Sequence, residues 1–414
     1  QSWYGKVNAA FDDSFENGLK VLSERPGEFM RKLDWLVRAE MPSKKKIKNT
    51  QFSILEKYAS DKTNDKTSLE IRQELALDAF KKVVLKVSNK VLYEAYSHFE
   101  NRYVGTSNRS IMVKGSRKRT VLPELPALPS DTIQTIQKII VGALIEKFGK
   151  LEKLGKVWID EELKKIPMPT NMRSINPTLK PVVRGQRTPI GNQNAKVVRT
   201  FVHWFDEHGS IDIDLHGFLI GENRREDIGW NSNHKTGYGC FSGDIIARQG
   251  ACAEYVDVNV DKALKDGLRY LVVTVNNFRG GSLSDITDCV SGIQEREFPE
   301  ANMNFVPATL SNCMRLTSPA STSLMCVVDL ETREYIHLDL DVDGIPVASH
   351  QASQILDSIK PYLELPKFSV YDLLLLHVEG RDGELVDSTE KADIYFSFED
   401  FSSSYVKTLE FMGI

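Results

Sequence analysis

The sequence predicts an α+β multidomain protein: an N-terminal α-helical domain followed by an antiparallel β-sandwich with a few late helices. Three observations carry this reading. Apolar residues recur every three or four positions through the first part of the chain. After residue 197 that period gives way to short alternating or fully apolar runs bounded by Gly, Asp and Asn. Between the two lies Lys164 to Thr200, a proline-containing stretch with eight Lys/Arg and no acidic residue, which reads as an extended connection. The expected organisation is a basic helical domain over 1–163, a basic Pro-containing linker over 164–196 and the sandwich over 197–414.

The elements follow in order. Pro26 stands where a helix tolerates a missing N–H, and opens an apolar stripe through Phe29, Leu33, Leu36 and Val37. Ser68 begins a long helical stretch carrying Leu75, Leu77, Phe80, Val84, Val87, Val91 and Tyr93. Ser130 and Asp131 can cap a third helix, with Ile133, Ile136, Ile139, Ile140, Leu144 and Phe148 recurring at three and four. Strands are expected at Val197–Phe205, Ile211–Ile220, Leu268–Phe278, Leu324–Leu330 and Tyr335–Val342. Late helices are expected over Ser349–Leu363 and Ser369–His377. A last strand, Ala392–Phe398, is expected to return to the sheet.

Composition narrows the class. With 414 residues, 41% hydrophobic and 27% charged, the chain is neither largely disordered nor a fibre or coiled-coil rod. No apolar run approaches the roughly 20 residues that span a bilayer, so no membrane partner is expected. The start, Gln1-Ser2-Trp3-Tyr4, lacks the basic and apolar regions of a secretory signal. Because it begins with Gln, the sequence reads as a fragment of a longer protein. Five cysteines (Cys240, Cys252, Cys289, Cys313 and Cys326) include no CxxC pair, which argues for reduced thiols and a cytoplasmic location.

The net charge of −4 conceals an opposition. Residues 1–199 hold 37 Lys+Arg against 22 Asp+Glu, and residues 200–414 hold 16 against 35. Two domains with different partners, or two that attract each other, would produce such a split.

No HExxH, GxSxG, P-loop or kinase-type glycine loop occurs, so an enzyme is not expected. His203, His208, His216 and His234 crowd one region without pairing with a carboxylate at helical ligand spacing; they read as solvated or hydrogen-bonded side chains. Gly280-Gly281-Ser282 reads as a loop between strands. The acidic half offers more. Asp212 and Asp214 alternate in IDIDL, so a strand projects both carboxylates to one side. Such a pair is unfavourable unless solvated, paired with a cation or bridged by a metal. Asp244 and Glu254 lie where loops can fold back over that face, and calcium suits clusters of hard oxygen ligands.

Ile211 to Asn223 (IDIDLHGFLIGEN) resembles the signature of the TerD-type domain of tellurium-resistance and stress proteins. Ser242-Gly243-Asp244, Gly250 to Val258 and Leu268 to Phe278 resemble later blocks of that domain, in the same order. Arg25 to Arg38 and Arg184 to Pro189 look like segments of larger bacterial proteins that join a RING-like finger and a helical region to a TerD-type domain; the chain resembles their C-terminal part. The resemblance implies a TerD-like β-sandwich that binds Ca2+ through acidic loops and serves a stress or phage-related response; a protein partner is expected besides. It implies metal ligation by Asp212, Asp214, Asp244 and Glu254. The loop Ile245 to Ala253 departs from the pattern, lacking the several Asp residues of typical members. In the basic half, Arg102, Arg109, Lys114, Arg117, Lys118 and Arg119 form an acid-free run. It suits phosphate contacts with nucleic acid; a solvated loop, or docking onto the acidic half of the same chain or onto a partner protein, is the plainer reading. Lys44 to Lys48 adds to the same supply of charge.

Overall fold

The computed structural model describes residues 2–38, 68–100, 102–103, 109–112, 119–122, 126–168, 184–190, 193–230, 235–246, 248–279, 281–286, 288–296, 312–316, 318–341, 359–360, 362–364, 368–402 and 405–413. They form two units. One comprises Gln1–Ile159, Asp372–Phe396 and Leu409–Ile414; the other comprises Asp160–Tyr371 and Ser397–Thr408.

In the first unit, helices α1 (Trp3–Asp13), α2 (Phe15–Ser23) and α3 (Pro26–Val37) follow in close succession. Ser2 and Ser14 cap the first two by accepting from the amides of Gly5 and Asn17. Pro26 sits in the first turn of α3, and Phe29, Leu33, Leu36 and Val37 are buried as their spacing predicts. The long stretch from Ser68 is two helices, α4 (Ser68–Val83) and α5 (Asn89–Glu100), separated by a 3-10 turn at Val84–Lys86. β-branched Val83, Val84 and Val87 lower helix propensity at the break, and Ser88 starts the next helix by accepting from the amide of Leu92. A short hairpin, β1 (Arg109–Met112) with β2 (Arg119–Leu122), precedes α6 (Ser130–Phe148), whose Ile133, Ile136, Ile140, Leu144 and Phe148 are buried.

The chain's end completes this unit. Strand β3 (Lys156–Ile159) lies between β15 (Glu384–Leu385) and β16 (Ile394–Phe396), parallel to both. The late strand expected to rejoin the sandwich therefore pairs here. The Asp393 carboxylate accepts from the Lys156 amide at 2.8 Å, and Phe396 packs edge-on against Phe411. Alternation over so few residues marks a strand without naming its partner. On helix α8 (Val370–Gly380), the buried His377 stacks on Phe148 with centroids 3.8 Å apart, and its Nε2 donates to the Phe411 carbonyl at 2.7 Å. Tyr93 and Asn89 both donate to the Met412 carbonyl.

The second unit is a sandwich of two antiparallel sheets. One runs β4 (Arg187–Pro189), β14 (Glu334–Asp341), β13 (Thr322–Asp329), β10 (Leu268–Arg279), β6 (Asp212–Gly221) and β7 (Arg225–Gly229). The other runs β12 (Asn312–Arg315), β11 (Val290–Arg296), β5 (Val197–Asp206), β9 (Gly250–Asn259) and β8 (Gly239–Phe241). The facing sides share a core that includes Val202, Trp204, Ile213, Leu215, Val256, Leu271 and Val275. A second apolar cluster, with Phe218, Ile220, Val272, Leu338 and Ile359, covers the back of the first sheet, so β6 is buried on both sides. Helix α7 (Val260–Lys265) links β9 to β10, while α9 (Phe398–Ser402) and α10 (Tyr405–Met412) close the chain. The helix expected over Ser349–Leu363 lies mostly outside the described residues; Ile359 and Lys360 are helical.

On the other side of β5, Arg199 makes a two-pronged ion pair with Asp257, Nε to Oδ1 at 2.6 Å and Nη2 to Oδ2 at 2.7 Å. Both side chains are buried, and the guanidinium lies 3.5 Å from the Tyr255 ring centre. Removing one partner strands a buried charge, whereas replacing both with apolar residues strands none. Asp257→Ala is therefore expected to cost about 3–5 kcal/mol in denaturant unfolding, and the double change Arg199→Met/Asp257→Leu distinctly less. Equal losses would show that the pair's contribution is attraction alone.

Candidate metal centre

Strand β6 alternates core and polar positions. Ile213 and Leu215 enter the sandwich core, which leaves Asp212 and Asp214 on the opposite face. Strand β7 ends at Gly229, opposite His216, so it offers no partner to the first residues of β6. The loop after β8 fills that gap. Ser242 ties the loop to β9 through paired contacts with Tyr255, and Gly243 turns it at φ +104°, a conformation that favours glycine. Ile246 then bridges to Asp212. Asp244 is thereby carried to the acidic pair: one oxygen from each of Asp212, Asp214 and Asp244 lies within 4.8 Å of the others. Among the described residues this is the one group of three or more His, Cys, Asp or Glu side chains so arranged.

Glu254 plays a different part from the other three acids. It rises from β9 inside the sandwich, fully buried, and accepts from the Leu215 amide with Oε2 and the Ile245 amide with Oε1, each at 2.9 Å. Its carboxyl therefore holds the strand that carries Asp214 and the loop that carries Asp244. Its oxygens face backbone amides, so the structure groups the three aspartates and sets Glu254 beneath them as a brace.

The electrostatics are unfavourable as they stand. Burial, followed by the charge of Asp244, raises the Asp212 pKa, and Arg279 offsets this in part. Asp214 is pushed up to about 6 by burial; the hydrogen bond from Asn276 opposes this, and the charges of Asp212 and Asp244 add to it. Glu254 is pushed up to about 8, chiefly by burial, with Asp214 and Asp244 contributing and its two amide donors opposing. Asp206, at the same end of the sandwich, is equally buried, yet its two oxygens accept from the amides of His208 and Ile211. Asp212 is 6% exposed and its Oδ1 has no hydrogen-bond partner. Three converging carboxylates, one with an orphaned buried oxygen, fit a divalent cation that prefers hard oxygen ligands. A thiol or imidazole, which softer metals favour, is absent from the group.

The other expected residues are placed as follows. Arg102 is buried: Nε donates to Asp34 at 2.6 Å and Nη2 to the Pro126 carbonyl at 2.6 Å. His98 Nε2 lies 2.7 Å from the same carboxylate, and Arg38 Nε lies 2.9 Å from its other oxygen. Arg102 is thus part of the helical unit's interior and does not present its charge to phosphate. The backbones of Arg109 and Arg119 lie in the β1–β2 hairpin. Lys114, Arg117 and Lys118, together with Lys44–Lys48, lie outside the described residues. Of the histidines, His203 is half-buried, His208 is exposed, and His216 is buried beside Phe218 with burial pushing its pKa down to about 4. His234 lies outside the described residues, as does Gly280 of the glycine turn.

The bracing role of Glu254 was not legible in IDIDL or in the loop. A lone Glu among the core-facing apolar positions of GACAEYVDV is the signal that could have revealed it.

No known family pattern matches the chain, and no curated protein matches it. Among solved structures, the chain is similar to a homologue of the telluride resistance protein TerD from Streptomyces coelicolor A3(2). Identity is 10%, over 37% of this chain and 94% of that one, with a TM-score of 0.29. It is also similar to a protein of unknown function, SAV2460, at 12% identity over 36% of this chain and 92% of that one, with a TM-score of 0.25.

The raised pKa of Glu254 has a definite consequence for stability. The folded chain holds this proton to about pH 8, whereas an ordinary Glu releases it near 4.5. Stability therefore falls as pH rises through that interval. Asp214 acts in the same sense between 3.8 and about 6. His216, His337 and His377, pushed down to about 4 by burial, act in the opposite sense, and their contribution is complete above 6.5. The interval from pH 6.5 to 8 isolates Glu254. In chelator, unfolding free energy is expected to fall there by at most about 1.4 kcal/mol per pH unit, and Glu254→Gln to flatten the slope. An unchanged slope in the variant would place the titrating group elsewhere.

Proposed function

We propose that the sandwich is a calcium-binding interaction module of the TerD type, within a non-enzymatic, cytoplasmic, bacterial stress-response protein. The observation that carries the metal is the convergence of Asp212, Asp214 and Asp244 with the Asp212 Oδ1 left without a partner. What supports the TerD assignment is the ordered set of sequence blocks from IDIDL through the Gly243-Asp244 loop to β10. A bound calcium ion supplies charge neutralisation and a shared point of attachment for these oxygens. The residues do the rest: the two strand aspartates offer fixed ligands, the loop offers a third, and Glu254 holds loop and strand in register. The module acts by binding. With calcium held, the three aspartates and their loop would form an end of the sandwich that a protein partner could recognise.

The loop from Ile245 to Ala253 offers no further Asp. With three carboxylates rather than five or six, one weak site is expected, in the range of roughly 10⁻⁴–10⁻³ M. Isothermal titration of the full chain with CaCl2 tests this. Asp212→Asn and Asp244→Asn are each expected to weaken binding by about tenfold or more, since affinity follows ligand charge. A folded protein that takes up no calcium at millimolar concentration would contradict the proposal.

A further inference from the structure

We propose that the cation-binding end of the sandwich, with its cation bound, docks onto an anionic lipid bilayer surface. The inference rests on the calcium reading above and adds a lipid surface that the same end meets. Strands β5, β8 and β10 end here, at Asp206, Phe241 and Arg279, and β6 and β9 begin here, at Asp212 and Gly250. Among the described residues, the two most exposed large apolar side chains are Phe278, at 69%, and Ile246, at 62%. Both flank the acidic cluster. Ile246 bridges to Asp212 on one side. On the other side the pairing of β10 with β6 slips between Asn277 and Arg279, so that Arg279 pairs with Asp212 and Phe278 is the extra residue of a bulge. Strand spacing puts each of these neighbours roughly 5 Å from the Asp212 backbone. Phe205, half exposed, lies at the end of β5.

A held cation and two arginines would give an anionic headgroup three positive centres to meet at this end. Arg248 and Arg279 are both exposed at this end, as is Glu207, and a divalent cation would bring the three aspartates from −3 to −1. Lipid headgroups can then meet the cation and the two guanidiniums, while Ile246 and Phe278 enter the interfacial layer, where apolar side chains gain burial and basic ones gain attraction. The absence of a spanning segment is immaterial, because docking of this kind crosses nothing; among the described residues no helix is long and apolar enough to cross a membrane. The orphaned Asp212 Oδ1 is independent of the apolar side chains and points to a cation at the same place.

Flotation of the full chain with vesicles tests the proposal, using phosphatidylserine–phosphatidylcholine vesicles against pure phosphatidylcholine, each in millimolar calcium and in chelator. Flotation is expected only with anionic vesicles in calcium. The double variant Ile246→Ser/Phe278→Ser is expected to lower partitioning by about tenfold or more while leaving the calcium titration unchanged. Asp212→Asn is expected to lose both. Calcium binding without flotation overturns the lipid surface and leaves the metal site standing. Flotation that the double variant leaves intact also overturns it, because attraction of charge alone would then account for the association. Absence of calcium binding removes both readings together.

Discussion

Two carboxylates two residues apart on one buried face of a strand are the constraint around which this end of the molecule is built. Asp212 and Asp214 cannot move apart, because Ile213 and Leu215 between and beyond them are fixed in the sandwich core. Strand β7 stops short of them, the loop after β8 takes its place, and that loop adds Asp244 where relief of charge would have called for a cation. A site that concentrates like charge in a buried setting carries an energetic cost that a bound cation would reverse.

Glu254 makes the arrangement cooperative. One carboxyl from the opposite sheet joins the β6 backbone to the loop, so the positions of Asp214 and Asp244 are coupled through the core. The sandwich around it is a stiff frame, with β6 covered on both sides. The end that carries the three aspartates can therefore be precise even though its loops are exposed. The same economy governs charge elsewhere. Arg102 and Arg199 are held inside their own units, against Asp34 and Asp257, so part of the basic surplus of residues 1–199 neutralises buried acids rather than facing a partner.

Much of this was legible in the sequence because period and burial go together. The stripe of α3, the isoleucines of α6 and the runs forming β5, β6, β10, β13 and β14 lie within a residue or two of where their spacing puts them. The alternation in IDIDL predicted that Asp212 and Asp214 share a face, and the Gly243-Asp244 loop predicted the third member. What escaped was decided by contacts between distant segments. The partner of Ile394–Phe396 is β3, some 240 residues earlier, and no local pattern encodes that choice. The break between α4 and α5 turns on β-branched residues that a periodicity count reads as apolar stripe. Arg102 sits in an acid-free run, yet Asp34, far upstream, draws it inward. Glu254 was expected with Asp244 on a loop over that face; it stands on β9 instead, where its oxygens accept from one amide of β6 and one of the loop.

We propose that Asp212, Asp214 and Asp244 together hold a divalent cation. A high-resolution crystal structure grown in calcium tests it most directly. An ion is expected with oxygens of all three carboxylates at about 2.3–2.6 Å, including the Asp212 oxygen that has no partner otherwise. Density for water alone among the three aspartates at saturating calcium would contradict it.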